Sequence, residues 1–594
     1  MSDDENSSAY EDAIATIRNA GLPHPNGHIL EGFLDESINP NLAATYFLNA
    51  IKNNSNNKSN SLNRDHDSPI DIFLSRWKSV IHVFMRDTVN KPPTHVTPII
   101  TEENRQKCWI TGLSGSFWDP LLVVPILPPT APTTSSGATL TAHRDILEAF
   151  LSPELTTHLF SVRCDIPESY WLLRQSSFAA LKQGYFKLSF GSTPTRYEIV
   201  RNLAGGPVHP PVVDKVEDFR RGKFSSSHTP DKTALEIISR FANPIRWSCI
   251  SQQIAARKQR QKLQSLISFL STPFSMLSSI SGAMMRTIWV NLVPAFLRAK
   301  SYRSLVPLGT RMYGFSDSPN VQRLPFGLYL KVVSSSRKES LVNEHGSLQL
   351  VRKHTRLPVP TPFDLVEDKD NIYLLTTRIK GYKLGWCLDT MTDEETAALA
   401  NDLGEHWKAL RNIPRPSSHK NAISNAVDGP VFDYRINAAL DQDEEEGLGD
   451  TVGPFATEAD FNNILKCGAI PDVMHDNGHD IVFTHGDINM RNILVDESGK
   501  LTGVVDWENA GWLPDYWDYT KAYFVTKRNE RWLAMVDEVF GRFGDFKGSC
   551  GWRGSCGSIA FKANKAKQNN IDLLLVERAG FISFGPFVSR GVED

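Results

Sequence analysis

The segment from Ile481 to Phe524, IVFTHGDINMRNILVDESGKLTGVVDWENAGWLPDYWDYTKAYF, constrains this chain more than any other. Ile481 to Thr484 is a short apolar run and reads as a strand. HGDINMRN is a loop of charged and amide residues. Ile493 to Val495 reads as a second strand, DESGK as a turn, and Leu501 to Val505 as a returning strand. A polar loop therefore enters a hairpin, and Asp506 leaves it. The turn at Glu497 to Lys500 brings Asp487, Asn492 and Asp506 near one another.

Phosphoryl transfer asks for these three residue types. It needs a carboxylate that orients the acceptor hydroxyl and takes its proton. It also needs hard oxygen ligands for a magnesium ion that bridges the phosphates. Asp487 fits the first role. Asn492, five residues on, and Asp506, beyond the hairpin, fit the second. The D-x-x-x-x-N spacing and the following Asp share the logic of a kinase catalytic loop. The loop reads H-G-D rather than H-R-D, and Trp507 and Glu508 follow the metal Asp.

The pattern H-G-D-x-x-x-x-N…D-W-E resembles the aminoglycoside-phosphotransferase and choline-kinase group, and DWENAGWLPDYWDYTKA resembles its fungal branch. The resemblance covers residues 301 to 540 and fades after Trp532. It implies a bilobal protein-kinase-like fold with ATP and Mg2+ as cofactors. It further implies Asp487 as catalytic base, Asn492 and Asp506 as magnesium ligands, His485 as a brace for the loop, and Asp518 as its support from the next helix.

The upstream sequence supplies the ATP lobe that such a fold requires. RLPFGLYLKVV, 323 to 333, reads as a strand carrying Lys331, and SLVNEHGSLQLVRKH reads as a helix carrying Glu344. In kinase-like folds a strand Lys touches the phosphates and pairs with a helix Glu. LPVPTPFD, 357 to 364, matches the family's Pro-rich entry to the next strand. IYLLTTRIKGYKL, 372 to 384, reads as strand, hinge and turn, with Thr376, Thr377 and Arg378 running past the adenine. Gly309, Gly314 and Gly327 surround a candidate phosphate-covering loop without forming G-x-G-x-x-G. Thr392 and Glu395 form a capping box, and Leu399, Leu403, Trp407 and Leu410 a core stripe.

The remaining sequence sets the domain plan. At 594 residues and 41% hydrophobic content the chain exceeds one ordinary core. Residues 1–74 read as a mostly flexible N-terminal region with a polar linker at 52 to 68. Residues 75–260 form an α+β domain, 261–300 a linker with amphipathic helices, 301–545 the phosphotransferase domain and 546–594 an atypical tail. In the second of these, CWITG, PLLVVP and SYWLLRQSSFAALKQGYFKLSF resemble the fungal HNH-nuclease-like ββα unit. Leu121 or Leu122, Ser169 and Phe178 stand where that family places its His, Asn and His. Apolar side chains neither activate water nor hold a metal, so the resemblance implies a degenerate scaffold. His143 and His158 lie off motif spacing and read as ordinary surface or capping residues.

A net charge of -3 points to neither nucleic acid nor an anionic membrane. The acidic start carries no secretory signal, and Leu263 to Leu297 is too interrupted to span a bilayer. Seven scattered cysteines read as reduced intracellular thiols, hence a cytoplasmic protein. The expected activity is transfer of the γ-phosphate to a hydroxyl of a small-molecule acceptor. The competing readings are a catalytically inactive nucleotide-binding protein and a protein kinase, the latter lacking H-R-D, D-F-G and A-P-E.

Overall fold

The computed structural model describes residues 3–58, 68–86, 92–103, 106–117, 119–130, 134–190, 196–202, 204–205, 222–223, 230–267, 289–314, 318, 320–433, 451–468, 477–526 and 529–546. The chain divides into two compact units, Met1–Arg260 and Gln261–Asp594.

The first unit opens with helices α1 (Asp3–Asn19), α2 (Asn26–Asp35), α3 (Pro40–Lys58), α4 (Pro69–Met85) and α5 (Val96–Glu103). Strand β1 (Leu121–Pro125), helices α6 (Ser135–Ala142), α7 (Arg144–Leu151) and α8 (Pro153–Ser161), β2 (Tyr170–Arg174) and α9 (Gln175–Lys182) follow. The unit closes with β3 (Phe186–Phe190), β4 (Arg196–Arg201), β5 (Gly222–Lys223), α10 (Lys232–Arg240) and α11 (Ala242–Ile267).

The expected flexible region 1–74 is instead mostly helical where it is described, and it is part of the core. Ala13, Ile17, Ile29, Phe33 and Phe47 are buried, and Phe33 meets Trp77 at 5.1 Å between ring centroids. Residues 52–58, read as polar spacer, continue α3, and the boundary at 75 falls inside α4. Burial of one apolar stripe outweighs the polar composition of these helices. Farther on, β1 pairs antiparallel with β2, Leu121 opposite Arg174, and α9 follows directly, so the ββα order is present. Phe178 is buried on α9, and Ser169 donates its hydroxyl to the Arg163 carbonyl.

In the second unit α12 (Ala295–Tyr313) starts earlier than the expected boundary at 301. Arg298 and Tyr302 on α12 both hold Asp364, which ties the helix to the sheet beside it. That sheet is β6 (Val321–Leu324), β7 (Leu328–Ser334), β8 (Pro362–Glu367) and β9 (Asn371–Thr377) in the order β6-β7-β9-β8. Helix α13 (Lys338–His354) lies between β7 and β8 in sequence.

The run 323 to 333 is a hairpin rather than one strand. Phe326 at φ 61° and Gly327 at φ 69° make a turn whose two left-handed residues suit a tight antiparallel connection. Gly309 is inside α12 and Gly314 ends it, so of the three glycines Gly327 alone belongs to the hairpin tip.

The larger lobe comprises β10 (Tyr382–Lys383), α14 (Leu384–Cys387), α15 (Asp393–Arg411), β11 (Ser424–Asn425), β12 (Val431–Phe432), β13 (Thr451–Val452) and α16 (Glu458–Gly468). It continues with β14 (Ile481–Thr484), β15 (Ile493–Val495), β16 (Leu501–Val504), β17 (Gly511–Pro514), α17 (Trp517–Val525) and α18 (Glu530–Phe540). The Thr392–Glu395 capping box starts α15. Trp407, Trp507, Trp512, Trp517 and Trp532 are almost wholly buried in one core. Helix α18 extends that core past the point where the sequence resemblance fades, and Phe546 is buried against it. The GSCGWRGSCGS stretch and the rest of the tail lie outside the described residues. Among the described residues no helix is long and apolar enough to cross a membrane.

Candidate active site

The loop between β14 and β15 is held from below by one carboxylate. Asp518, at the start of α17, accepts hydrogen bonds from the His485 and Gly486 amides at 3.1 and 2.9 Å. It also accepts one from Trp407 Nε1 at 3.0 Å. Trp407 is therefore more than core filling, because it orients the acid that holds the loop. Gly486 stands at φ 77°, and a Cβ there would sit 2.1 Å from the Asn509 carbonyl. This close approach accounts for H-G-D where a protein kinase has H-R-D.

His485 is fully buried. Its Nδ1 accepts the Asp487 amide at 3.2 Å, which leaves Nε2 to donate to the Val505 carbonyl at 3.0 Å. The ring thereby spans from the loop to the end of β16.

Asp487 shares its Oδ2 with Asn489 and Asn492 Nδ2 at 3.4 and 3.2 Å. Asn492 Nδ2 also reaches the Asp487 carbonyl at 2.9 Å. That bond orients the amide, leaving its oxygen for a cation. Burial raises the Asp487 carboxyl above the ordinary aspartate range, against the pull of the Lys521 ammonium.

The small lobe contributes its own cation. On β7, Lys331 lies on the face opposite Leu330 and Val332, the face toward α13. Its Nζ is 2.7 Å from both Glu344 on α13 and Asp506. Burial works against the Lys331 ammonium, but Asp506, Glu344 and Glu508 outweigh it and hold its proton more tightly than usual. Burial would raise the Asp506 carboxyl too, yet Lys331 draws it below the ordinary value. Glu344 moves the other way, because its burial outweighs Lys331. Asp506 has φ 71°, a left-handed position uncommon for a residue with a side chain, at the point where the chain leaves the hairpin.

Sequence reasoning passed over several residues. Glu508 joins Glu344 and Asp506 in a cluster whose carboxylate oxygens lie within 4.8 Å of one another. Burial and the neighbouring acids push its carboxyl up to about 7. Three carboxylates around one ammonium leave an excess of negative charge in hard oxygen donors, a donor set that fits a divalent cation. Asn343 donates to the Glu508 and Ala510 carbonyls at 2.8 and 2.9 Å and accepts the Ala426 amide at 2.8 Å. It thus fastens α13 to the D-W-E segment. Lys521 on α17 is wholly buried beside Asp433 and Asp487. The alternation of D-W-E and the N-E pair on α13 were the available signals for Glu508 and Asn343. Nothing local marks Lys521, since its partners are distant in sequence.

The hinge differs in detail from expectation. Thr376 and Thr377 end β9, but the Thr377 and Arg378 amides already donate to the Thr361 and Gly327 carbonyls at 3.0 and 2.8 Å. A base running past them would meet carbonyls and side chains rather than these amides.

Residues 319–548 match the phosphotransferase enzyme family termed APH. A comparison with curated proteins found no match. Among solved structures, the chain is similar to an aminoglycoside-3'-phosphotransferase of type VIII at 18% identity, over 38% of this chain and 81% of that one, with a TM-score of 0.27. It is also similar to aminoglycoside phosphotransferase APH(3'')-Id from Streptomyces rimosus in complex with ADP and streptomycin, at 17% identity, over 37% of this chain and 82% of that one, with a TM-score of 0.25. A gentamicin complex of APH(2")-IIa shares 14% identity, over 48% of this chain and 91% of that one, with a TM-score of 0.28. Residues 319–548 of this chain thus carry a phosphotransferase-family domain.

Proposed function

We propose that the second unit transfers the γ-phosphate of ATP to a hydroxyl group of a small molecule, with Mg2+. The observation that carries this reading is the joining of two lobes at one point: Lys331 of the sheet bonds Asp506, which follows the hairpin whose entry loop holds Asp487 and Asn492. Lys331, kept protonated by its acids, would neutralise phosphate oxygens. Asp506 and the Asn492 amide oxygen would hold magnesium, with Glu508 close enough to Asp506 to assist. When bound, magnesium supplies charge neutralisation and alignment of the phosphates. Asp487, with its raised proton affinity, would orient the acceptor hydroxyl and take its proton. His485 would brace the loop, and Thr376, Thr377 and Arg378 would flank the base.

A protein kinase is the weaker reading. Between Asp506 and Asp518 the chain goes straight into β17, which pairs with β14 along its length, so no activation loop intervenes. A small-molecule acceptor suits that short connection.

The first unit fits a degenerate HNH-like scaffold of the fungal kind. Its support is the β1–β2–α9 order with Leu121, Leu122, Ser169 and Phe178 at the places named above. Among the described residues Cys108, Cys164 and Cys249 are thiols, in keeping with an intracellular setting.

The test is to incubate the full-length protein with ATP, magnesium and a metabolite extract and to score phosphorylated products by mass spectrometry. A product 80 mass units (about one HPO3 group) heavier than its precursor, absent without magnesium, supports transfer. ATP bound with no transfer to any acceptor supports an inactive nucleotide-binding protein.

A further inference from the structure

The buried Lys521 is unexplained by core packing alone. Its side chain is 0% exposed, on the second turn of α17. An ammonium withdrawn from water costs several kcal/mol unless carboxylates surround it. Two do. Asp433, itself 0% exposed, lies 3.3 Å from Nζ, and Asp487 Oδ1 lies 3.4 Å from it.

The arrangement divides the Asp487 carboxylate between two holders. Oδ1 faces Lys521, while Oδ2 faces the Asn489 and Asn492 amides. A carboxylate gripped on both oxygens cannot rotate freely about its Cβ–Cγ bond. Asp433 matters to the same geometry, since it shares the ammonium.

We infer that Lys521 is a positioning residue for phosphoryl transfer, holding the Asp487 carboxylate toward the acceptor, with Asp433 as the buried counter-charge that fixes Lys521. This rests on the phosphotransferase reading for its chemistry. The geometry of the grip is independent of that reading.

The alternative is that Lys521 merely neutralises Asp433 within the core. The two are separable in the full-length protein. Lys521→Met alone removes the ammonium beside the buried Asp433 carboxylate and risks misfolding. Lys521→Met combined with Asp433→Asn removes both charges and relieves that strain. The probe is Mg·ATP, with phosphate release measured to water and to the pooled metabolites of a cell extract. A crystal structure of the double variant is the second readout.

The double variant is expected to keep KM for Mg·ATP within about twofold while kcat falls about tenfold or more, because only the group acting on the acceptor is disturbed. Its Asp487 carboxylate is expected to turn away from Asn492. Wild-type kcat in the double variant, or an unmoved Asp487, overturns the inference and leaves Lys521 a core counter-ion. A wild-type protein that binds Mg·ATP but transfers to nothing counts against the phosphotransferase reading instead. The position of Asp487 in the double variant then decides the grip by itself.

Discussion

Single residues at this site are constrained by what they must touch, and their substitutions should separate their roles. Asp506 is drawn below the ordinary aspartate range by Lys331 and sits within a carboxylate cluster. Asp506→Asn removes a charged oxygen ligand, so Mg·ATP affinity should fall roughly ten- to a hundredfold, read by calorimetric titration. Gly486→Ala tests the backbone. It places a Cβ against the Asn509 carbonyl at a φ of 77°, and the left-handed strain alone costs about 1–2 kcal/mol. Its thermal midpoint should drop and turnover should fall with it. An alanine variant as stable as wild type would mean the loop relaxes without harm. Motif spacing singles out Asp487, Asn492, Asp506, Lys331 and Glu344 in the sequence, and the structure sets Lys331 beside Glu344 and Asp506. Spacing does not single out Glu508, Asn343 and Lys521, since each is defined by a partner brought near only by folding.

At the scale of elements, the loop between β14 and β15 depends on helices packed beneath it. Trp407 on α15 and Asp518 on α17 meet beneath it, and the Asp518 carboxylate divides between two loop amides and the indole. Trp407→Phe leaves that buried acceptor short of one donor, a loss of about 1–3 kcal/mol. Amide hydrogen exchange at His485 and Gly486 should quicken before exchange elsewhere in the core; unchanged protection there would detach Trp407 from the loop. The strands and turn around this loop could be read from alternation and turn residues almost to their ends. The hairpin at Phe326 and Gly327 could not, because a phenylalanine in a left-handed turn breaks the usual Asn-Gly or Asp-Gly signal. The N-terminal helices were missed for another reason. Their polar faces dilute the pattern, while their buried stripes acquire meaning only against Trp77 and Phe150, far along the chain.

At the scale of the molecule, two compact units carry different kinds of residues at their motif positions. The first has the order β1–β2–α9, and on the proposed HNH-like reading apolar side chains and a serine stand where nuclease chemistry needs ligands and a base. The full-length protein should therefore leave plasmid DNA uncut in the presence of magnesium, manganese or zinc. Chelator-sensitive nicking by purified protein would contradict that. The second unit carries the phosphotransferase-family domain, and the central claim is that Asp487 acts on the acceptor rather than on the nucleotide. The most direct test compares wild type with Asp487→Asn for Mg·ATP affinity and for phosphorylated product formed from a metabolite extract. The account predicts near-equal affinity and product from the wild type alone. Equal product from both proteins would contradict it.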